Sequence, residues 1–547
     1  MKFALLRRLV QAAFLAAFVG LVLVARPGAG NDISHAVELF FLFDPLLLIA
    51  TALSAHAVHF PMILALATLA LTLVAGRVFC GWICPLGTIH AAAGRVCDQL
   101  QSTKKRRDHW SPWQRAKYYL LAGFMVMALL GSHWVTTFDP LVLLYRTTAT
   151  ALLPSAQWAV EEGSTTVYRL EERRDSKGPW KLTTLTEPAY EYLRDNVFVT
   201  RNQAFFGGGL ILVVFAVLVA MNAYRRRFWC RYLCPLGALL GVCSWRPLLR
   251  RGTDAQSCNQ CDRCARTCHG AAGGGGGQGW IPAECFGCLN CTGDCPRKSL
   301  GFTCTWPWRR QPAVAGVDLS KRALLGAAAG GVAGLCLFRI HPQARGQVYN
   351  PALIRPPGAR AEREFLARCT GCGLCMKVCP TGGLHPTLTE AGLEGLWPPH
   401  LIPRVGYCHY DCNLCGQVCP TEAIQPLPID EKKQVRIGLA TFDTTRCIPY
   451  AFGRDCMVCE EHCPIPDKAI CYQEVEVTGR DGLKKTIKQP RVDPTKCVGC
   501  GICENVCPFK DRPAIRVTSA NESRHPEEQG RAGNQPILSD GDSPYGT

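Results

Sequence analysis

Five apolar runs punctuate the first 340 residues, at approximately 9–25, 57–78, 118–135, 205–223 and 323–340. Each approaches the roughly 20 residues that a helix needs to cross a hydrocarbon core, so the pattern predicts a transmembrane helical bundle of four helices plus a fifth. Basic clusters flank one end of each of the first four: Arg7 and Arg8, then Lys104, Lys105, Arg106 and Arg107, then Arg225, Arg226 and Arg227. Positive charge beside a span marks its cytoplasmic end. Both ends of the four-helix unit are therefore expected inside, with Trp134 and Trp158 at the outer interface. Arg7 and Arg8 before an apolar run closed by Ala25 also have the form of a signal peptide. Because the next loop leads straight into another apolar segment, the run is read as a retained anchor.

The pattern contains a duplication. Phe43-Asp44-Pro45-Leu46 precedes the second run, and Cys80-Gly81-Trp82-Ile83-Cys84-Pro85-Leu86-Gly87 ends it. Phe138-Asp139-Pro140-Leu141 precedes the fourth, and Cys230-Arg231-Tyr232-Leu233-Cys234-Pro235-Leu236-Gly237 ends it. Two helical pairs are thus repeated. The second copy carries a charged, cysteine-free insertion at 155–203, which the topology places outside and which reads as a long loop. A glycine-rich stretch, 270–279, reads as a linker, and the polar residues from about 518 read as a disordered tail.

The chain of 547 residues is 48% hydrophobic and carries a formal net charge of +17. Such a balance raises nucleic-acid binding, but the location of the charge argues against it. From residue 341 onward 24 Lys and Arg balance 24 Asp and Glu, leaving 36 against 19 before that point. The excess lies beside the apolar runs, as the topology rule produces, and nowhere interleaves with aromatic residues as a nucleic-acid groove does.

Cysteine changes the picture most, with 33 in the chain. Four motifs have the bacterial-ferredoxin spacing: Cys258, Cys261, Cys264, Cys268; Cys285, Cys288, Cys291, Cys295; Cys369, Cys372, Cys375, Cys379; and Cys497, Cys500, Cys503, Cys507. Two more are stretched at the front: Cys408, Cys412, Cys415, Cys419, and Cys447, Cys456, Cys459, Cys463. All but the first motif are followed directly by proline. Four cysteines in so short a run cannot pair as unstrained disulfides. In this spacing three cysteines wrap one [4Fe-4S] cluster and the fourth ligates the neighbouring one, so the motifs are expected to work in pairs. Zinc also takes four thiolates, but usually from two distant pairs; six recurrences of one compact run favour six [4Fe-4S] clusters.

The duplicated pairs Cys80, Cys84 and Cys230, Cys234 are cofactor-binding candidates, since an x3 spacing places both thiols on one helix face, within reach of a soft metal or a reversible disulfide. Packing at a helix end is the alternative. Asp44 and Asp139, at the membrane margin, are candidate catalytic groups for quinol protons, because ionisable groups there are costly, with helix capping the plainer role. His56, His59 and His133 could serve quinone or haem but read better as hydrogen-bonding groups. Cys97, Cys243, Cys304, Cys336 and Cys471 lie outside every motif and read as inert thiols.

These residues resemble two known families. Residues 1–305, with their paired Cys-x3-Cys-Pro sequences and two following motifs, resemble the NapH/MauN membrane ferredoxins, the quinol-dehydrogenase subunit of periplasmic nitrate reductase systems. Residues 320 to about 517 resemble the NapG/MauM four-cluster ferredoxin, carried by Arg355-Pro356-Pro357-Gly358-Ala359, Phe365-Leu366-Ala367-Arg368-Cys369 and the two stretched motifs. The resemblance implies a fusion of the two. It also implies export of the second part by the twin-arginine route, where Ser320-Lys321-Arg322-Ala323-Leu324-Leu325 matches apart from Lys321 in place of the first arginine.

The expectation is thus a multi-domain α + α/β protein. A membrane unit occupies 1–250, a two-cluster ferredoxin domain 251–305, a fifth helix 320–342, a four-cluster domain 355–517 and a tail 518–547. It is read as a multi-pass bacterial inner-membrane protein that passes electrons from quinol to an external reductase or cytochrome, with two clusters inside and four outside. An electron-donating factor for copper or other metal-centre assembly, and a ferredoxin platform for a cytoplasmic enzyme, are the competing readings.

Overall fold

The computed structural model describes residues 2–27, 31, 33, 38–100, 110–174, 183–198, 204–273, 279–305, 319–342, 350–478 and 484–524. The basic run 104–107, the middle of the glycine-rich stretch and the tail beyond Arg524 lie outside them. The chain divides into two compact units. One comprises Met1–Val24, His35–Thr148 and Gly209–Leu337, the other Ala25–Ser34, Ala149–Gly208 and Phe338–Thr547.

In the first unit the expected spans are interrupted. Helices Phe3–Val24 and Lys321–Arg339 are long and apolar enough to cross a membrane. The run at 57–78 instead forms a 3-10 turn, Phe60–Leu64, and a helix, Ala65–Ala75, that stops at Gly76 (φ 75). The run at 118–135 forms Ala116–Leu129 and ends in a turn at Gly131 (φ 83). The run at 205–223 begins its helix, Gly208–Ala220, only after Gly207 (φ 74). A left-handed residue breaks the helical ladder, so four complete transmembrane helices are not formed among the described residues. An apolar helix not expected, Pro45–Ala55, lies between the first and second runs.

The α/β expectation is corrected too. The strands among the described residues form two-stranded antiparallel pairs, giving α + β folding without a parallel sheet. In the first unit Leu249–Thr253 pairs with Leu300–Cys304 and brackets the first two cysteine motifs. In the second unit Leu384–Pro386 pairs with Pro399–Leu401, Leu439–Phe442 with Ile515–Thr518, and Ile470–Thr478 with Lys484–Val492.

The second unit has its own core, in which Ile354, Phe365, Ile424 and Ile515 pack among the cysteines. Its insertion is not a loop. Helices Leu153–Arg174 and Thr183–Asn196 form there, tied by Thr183 donating to Glu171. Nor is the tail loose from its start: Ser519 is buried, and Arg524 reaches the buried Glu362 at 3.1 Å.

Candidate metal centres

Each regular motif turns on one left-handed residue after its second cysteine: Asp262, Leu289, Gly373 and Gly501, with φ between 54 and 86. A short helical turn follows and carries the third cysteine. The reversal lets three thiols of one loop face a common point, and glycine takes it without strain in two of the four. The stretched motifs reach the same turn from Asn413 and Met457 at negative φ.

The fourth cysteine of a motif faces the other loop. Burial raises the Cys291 thiol, and Cys285, Cys288 and Cys268 beside it add to the effect. The thiols of Cys375 and Cys415 are likewise raised by burial first, then by Cys372, Cys369 and Cys419 around Cys375 and by Cys408, Cys412 and Cys379 around Cys415. One cavity is lined by Cys447, Cys456, Cys459 and Cys507, and another by Cys463, Cys497, Cys500 and Cys503. In all five sets three cysteines come from one motif and the fourth from its partner. Cys258, Cys264 and Cys295 are part-exposed and Cys261 is exposed. Among the described residues no three His, Cys, Asp or Glu side chains converge as a single metal ion requires.

The duplicated pairs occupy matching turns. The N–H of Cys84 donates to the Phe79 carbonyl and that of Cys234 to the Trp229 carbonyl, both at 2.9 Å. These five-residue reaches widen the helix, a device often found at functional sites. Helices Pro85–Leu100 and Pro235–Cys243 begin immediately after. Their first turns donate to sulfur, Gly87 N–H to Cys84 Sγ at 3.4 Å and Gly237 N–H to Cys234 Sγ at 3.1 Å. All four thiols are buried.

Asp44 and Asp139 also occupy matching places. Asp44 Oδ1 accepts from Leu46 and Leu47 N–H at 2.9 and 3.4 Å, and Asp139 Oδ1 from Leu141 and Val142 N–H at 2.8 and 3.0 Å. Both therefore cap helices. They also interact electrostatically with each other across the repeat. His133 bonds to Thr51 and Thr136, the hydrogen-bonding role expected of it, while His56 ends the Pro45–Ala55 helix at φ 51.

A buried ionic node escaped the sequence reading. Glu284, beside Cys285, accepts from Lys117 at 2.5 Å, Tyr118 at 2.8 Å, and Arg77 and Gln114 at 3.4 Å. Arg227 is not a surface flanking charge: it is 2% exposed and donates to the Cys80 carbonyl at 2.9 Å. The available signal was a longer repeat, because Arg77 stands three residues before Cys80 as Arg227 does before Cys230.

Comparison with known proteins agrees with the cysteine pattern. A family model described as a 4Fe-4S binding domain matches residues 58–104 and again 207–253, and a second with the same description matches 366–385 and 490–510. The methylamine utilization ferredoxin-type protein MauM of Paracoccus denitrificans is 34% identical over 166 residues, covering 30% of this chain and 70% of that protein. The ferredoxin-type protein NapG of Escherichia coli is 36% identical over 165 residues, covering 30% and 69%. The putative electron transport protein YccM of Escherichia coli is 26% identical over 265 residues, covering 48% and 60%. No solved structure matches.

Proposed function

Because the chain belongs to the ferredoxin-type iron-sulfur proteins related to MauM and NapG, we propose that it is a membrane-anchored electron carrier with six [4Fe-4S] clusters. Quinol is its donor, and an external reductase or cytochrome its acceptor. The observation that carries the reading is the crossed convergence of cysteines, three from one loop and one from the next. That is the ligand arrangement of two-cluster ferredoxins. The bound clusters supply one-electron chemistry; the chain's part is to hold the thiols, bury them and set their surroundings.

In this reading Cys268 completes the site of Cys285, Cys288 and Cys291, and Cys295 that of Cys258, Cys261 and Cys264. Cys419 completes the site of Cys369, Cys372 and Cys375, and Cys379 that of Cys408, Cys412 and Cys415. Cys507 completes the site of Cys447, Cys456 and Cys459, and Cys463 that of Cys497, Cys500 and Cys503.

Membrane attachment is supported by the two long apolar helices and by an exposed apolar surface on the shorter ones, including Leu66, Leu73, Val213 and Val217. Surfaces of this kind are rare where only water covers them. The outer location of the last four motifs is supported inside the second unit, where Phe205 and Phe206 from the end of the insertion pack on His385. The charge rule places that insertion outside. The fusion with a NapH-type membrane half rests on the repeated Cys-Pro turns and the quinol link on that resemblance. Asp44 and Asp139 are the groups proposed to take quinol protons.

Anaerobically purified full-length protein should contain at least about 24 iron atoms per chain, and about eight would refute six clusters. A reduced menaquinol analogue added to membranes should produce the EPR signal of reduced clusters; its absence, with dithionite still effective, would remove quinol as donor. A reporter active only in the periplasm, attached after Thr547, should be active. Copper rescue of a deletion strain would favour the assembly-factor reading instead.

A further inference from the structure

We propose that Arg7, Arg77 and Arg227 are positioning residues for the site of Cys285, Cys288 and Cys291: they clamp its loop onto the helices of the first unit and raise the reduction potential of the cluster it holds. The clamp comes from side chains far apart in sequence. Arg7, on the first helix, donates from Nη1 to the Cys288 carbonyl at 2.6 Å and to Asn290 Oδ1 at 2.7 Å. Arg77 donates to the Ala283 carbonyl at 2.9 Å. Phe286, between the ligands Cys285 and Cys288, has the Arg77 guanidinium 4.8 Å and the Arg227 guanidinium 5.0 Å from its ring centre, a distance at which a cation is attracted to the ring. Arg77 and Arg227 are the equivalent arginines of the two repeated halves. Each half therefore supplies one cation to the same ring, and the loop is held by both at once.

Burial makes these charges count. Arg7 and Arg227 are 2% exposed, and Arg77 and Phe286 are buried as well. Glu284 pairs with Arg77 and Lys117, whereas Arg7 and Arg227 donate to neutral oxygens, those of Cys288, Asn290 and Cys80. Among the described residues these two guanidinium groups thus meet no carboxylate, a costly arrangement until an anion lies near. An iron-sulfur core with its thiolates is that anion, and one added electron makes it more negative, with no bond formed or broken. Burial alone opposes the electron. Buried cations beside the loop favour it, and net charge is among the levers that set cluster potentials.

The loop has little room to move away from its cations. Trp82 Nε1 donates to the Gly287 carbonyl at 2.9 Å, and Gly81 packs so closely on the Phe286 carbonyl that no Cβ could be accommodated there. The neighbouring site is built differently. Cys261 is exposed and Cys258, Cys264 and Cys295 are part-exposed. Arg266 donates to the Cys261 carbonyl at 2.9 Å from an exposed position, where water and salt screen its charge. The assignment rests on the iron-sulfur reading of these cysteines and is independent of quinol as donor.

The test is an EPR-monitored redox titration of the full-length protein, purified anaerobically and poised with dithionite and mediators. Cys291→Ser identifies the component that belongs to this site. Arg7→Gln, Arg77→Gln and Arg227→Gln should each move the midpoint of that component to more negative potential by about tenfold in the reduction equilibrium, about 59 mV for one electron, with iron per chain unchanged. Arg7→Lys, which keeps the charge, should recover most of the shift, and Arg266→Gln should leave this component in place. Unshifted midpoints in the glutamine variants, no recovery in Arg7→Lys, or an equal shift in Arg266→Gln would each overturn the assignment. If one glutamine variant does not retain the component, the other two decide; its loss from all three would leave only a structural role and also overturn it. Cys291→Ser that removes no component would overturn the cluster reading beneath the assignment as well, whereas an unshifted midpoint overturns the assignment alone.

Discussion

The carboxyl groups of Asp44 and Asp139 interact electrostatically with each other while each caps the helix that follows it. Both are fully buried, and Oδ2 of each has no hydrogen-bond partner among the described residues. Two carboxylates buried side by side repel each other, so the pair is held best with a proton on one of them. Asp139→Asn keeps a good cap and should leave thermal stability within a few tenths of a kcal/mol, whereas Asp139→Ala should cost about 1 kcal/mol. Quinol-driven cluster reduction should fall in both, because neither replacement can receive a proton. Unchanged reduction kinetics in Asp139→Asn would leave capping as the whole role of the pair.

Glu362 lies between Arg355, at 2.6 Å, and Arg524, at 3.1 Å. Burial opposes its charge, but the two guanidinium groups outweigh burial and hold the carboxyl at about 2. A depressed acid stabilises the fold above its unfolded value near 4.5, and the contribution is lost as pH falls from there toward 2. Glu362→Ala, which strands the buried Arg355 while Arg524 keeps Glu522 at 2.9 Å, should destabilise the second unit by about 3–5 kcal/mol. Ending the chain after Arg524 should be silent, whereas ending it after Thr518 should lower the midpoint of thermal unfolding.

His385 and His400 pair across the strands Leu384–Pro386 and Pro399–Leu401. Burial lowers His385 to about 4 and, with Arg355 and His385 nearby, His400 to about 3. The unfolded chain binds these protons first, so stability falls as pH drops from about 6.5 toward 4 and 3. His400→Phe should flatten the denaturant midpoint across that window. The same slope in wild type and variant would place the acid sensitivity elsewhere.

Crossed ligation predicts which site a single substitution empties. Cys379→Ser should remove the cluster of Cys408, Cys412 and Cys415 and spare that of its own motif, and Cys507→Ser should act in the same way on Cys447, Cys456 and Cys459. Each should lower iron by about four atoms per chain. EPR of the two variants should lose different components. Loss of the same-motif cluster would refute the crossing.

The cysteine motifs were legible because ligation is local: three ligands within seven residues leave the loop little choice, and the regular spacing contains the left-handed turn at Asp262, Leu289, Gly373 and Gly501. The helix boundaries were harder to read. Apolar composition runs through Gly76 and Gly131 without a break, while the backbone turns there with positive φ. In the insertion, charge hid two helices whose support is internal, such as Gln157 to Glu161 one turn apart. Arg227 read as part of a basic cluster, because Arg225 and Arg226 beside it mask a side chain that turns inward. Arg524, alone in a polar stretch, finds its acid 162 positions away, a relationship with no local trace.

The cavity lined by Cys447, Cys456, Cys459 and Cys507 takes its last wall from the chain that also builds the neighbouring cavity, and the reverse holds for Cys463. Two loops joined in this way behave like interlocked rings. Neither can be filled to completion while the other is unformed, so maturation should proceed by pairs. A chain starved of iron should separate into fully loaded and empty ferredoxin pairs, with few holding a single cluster.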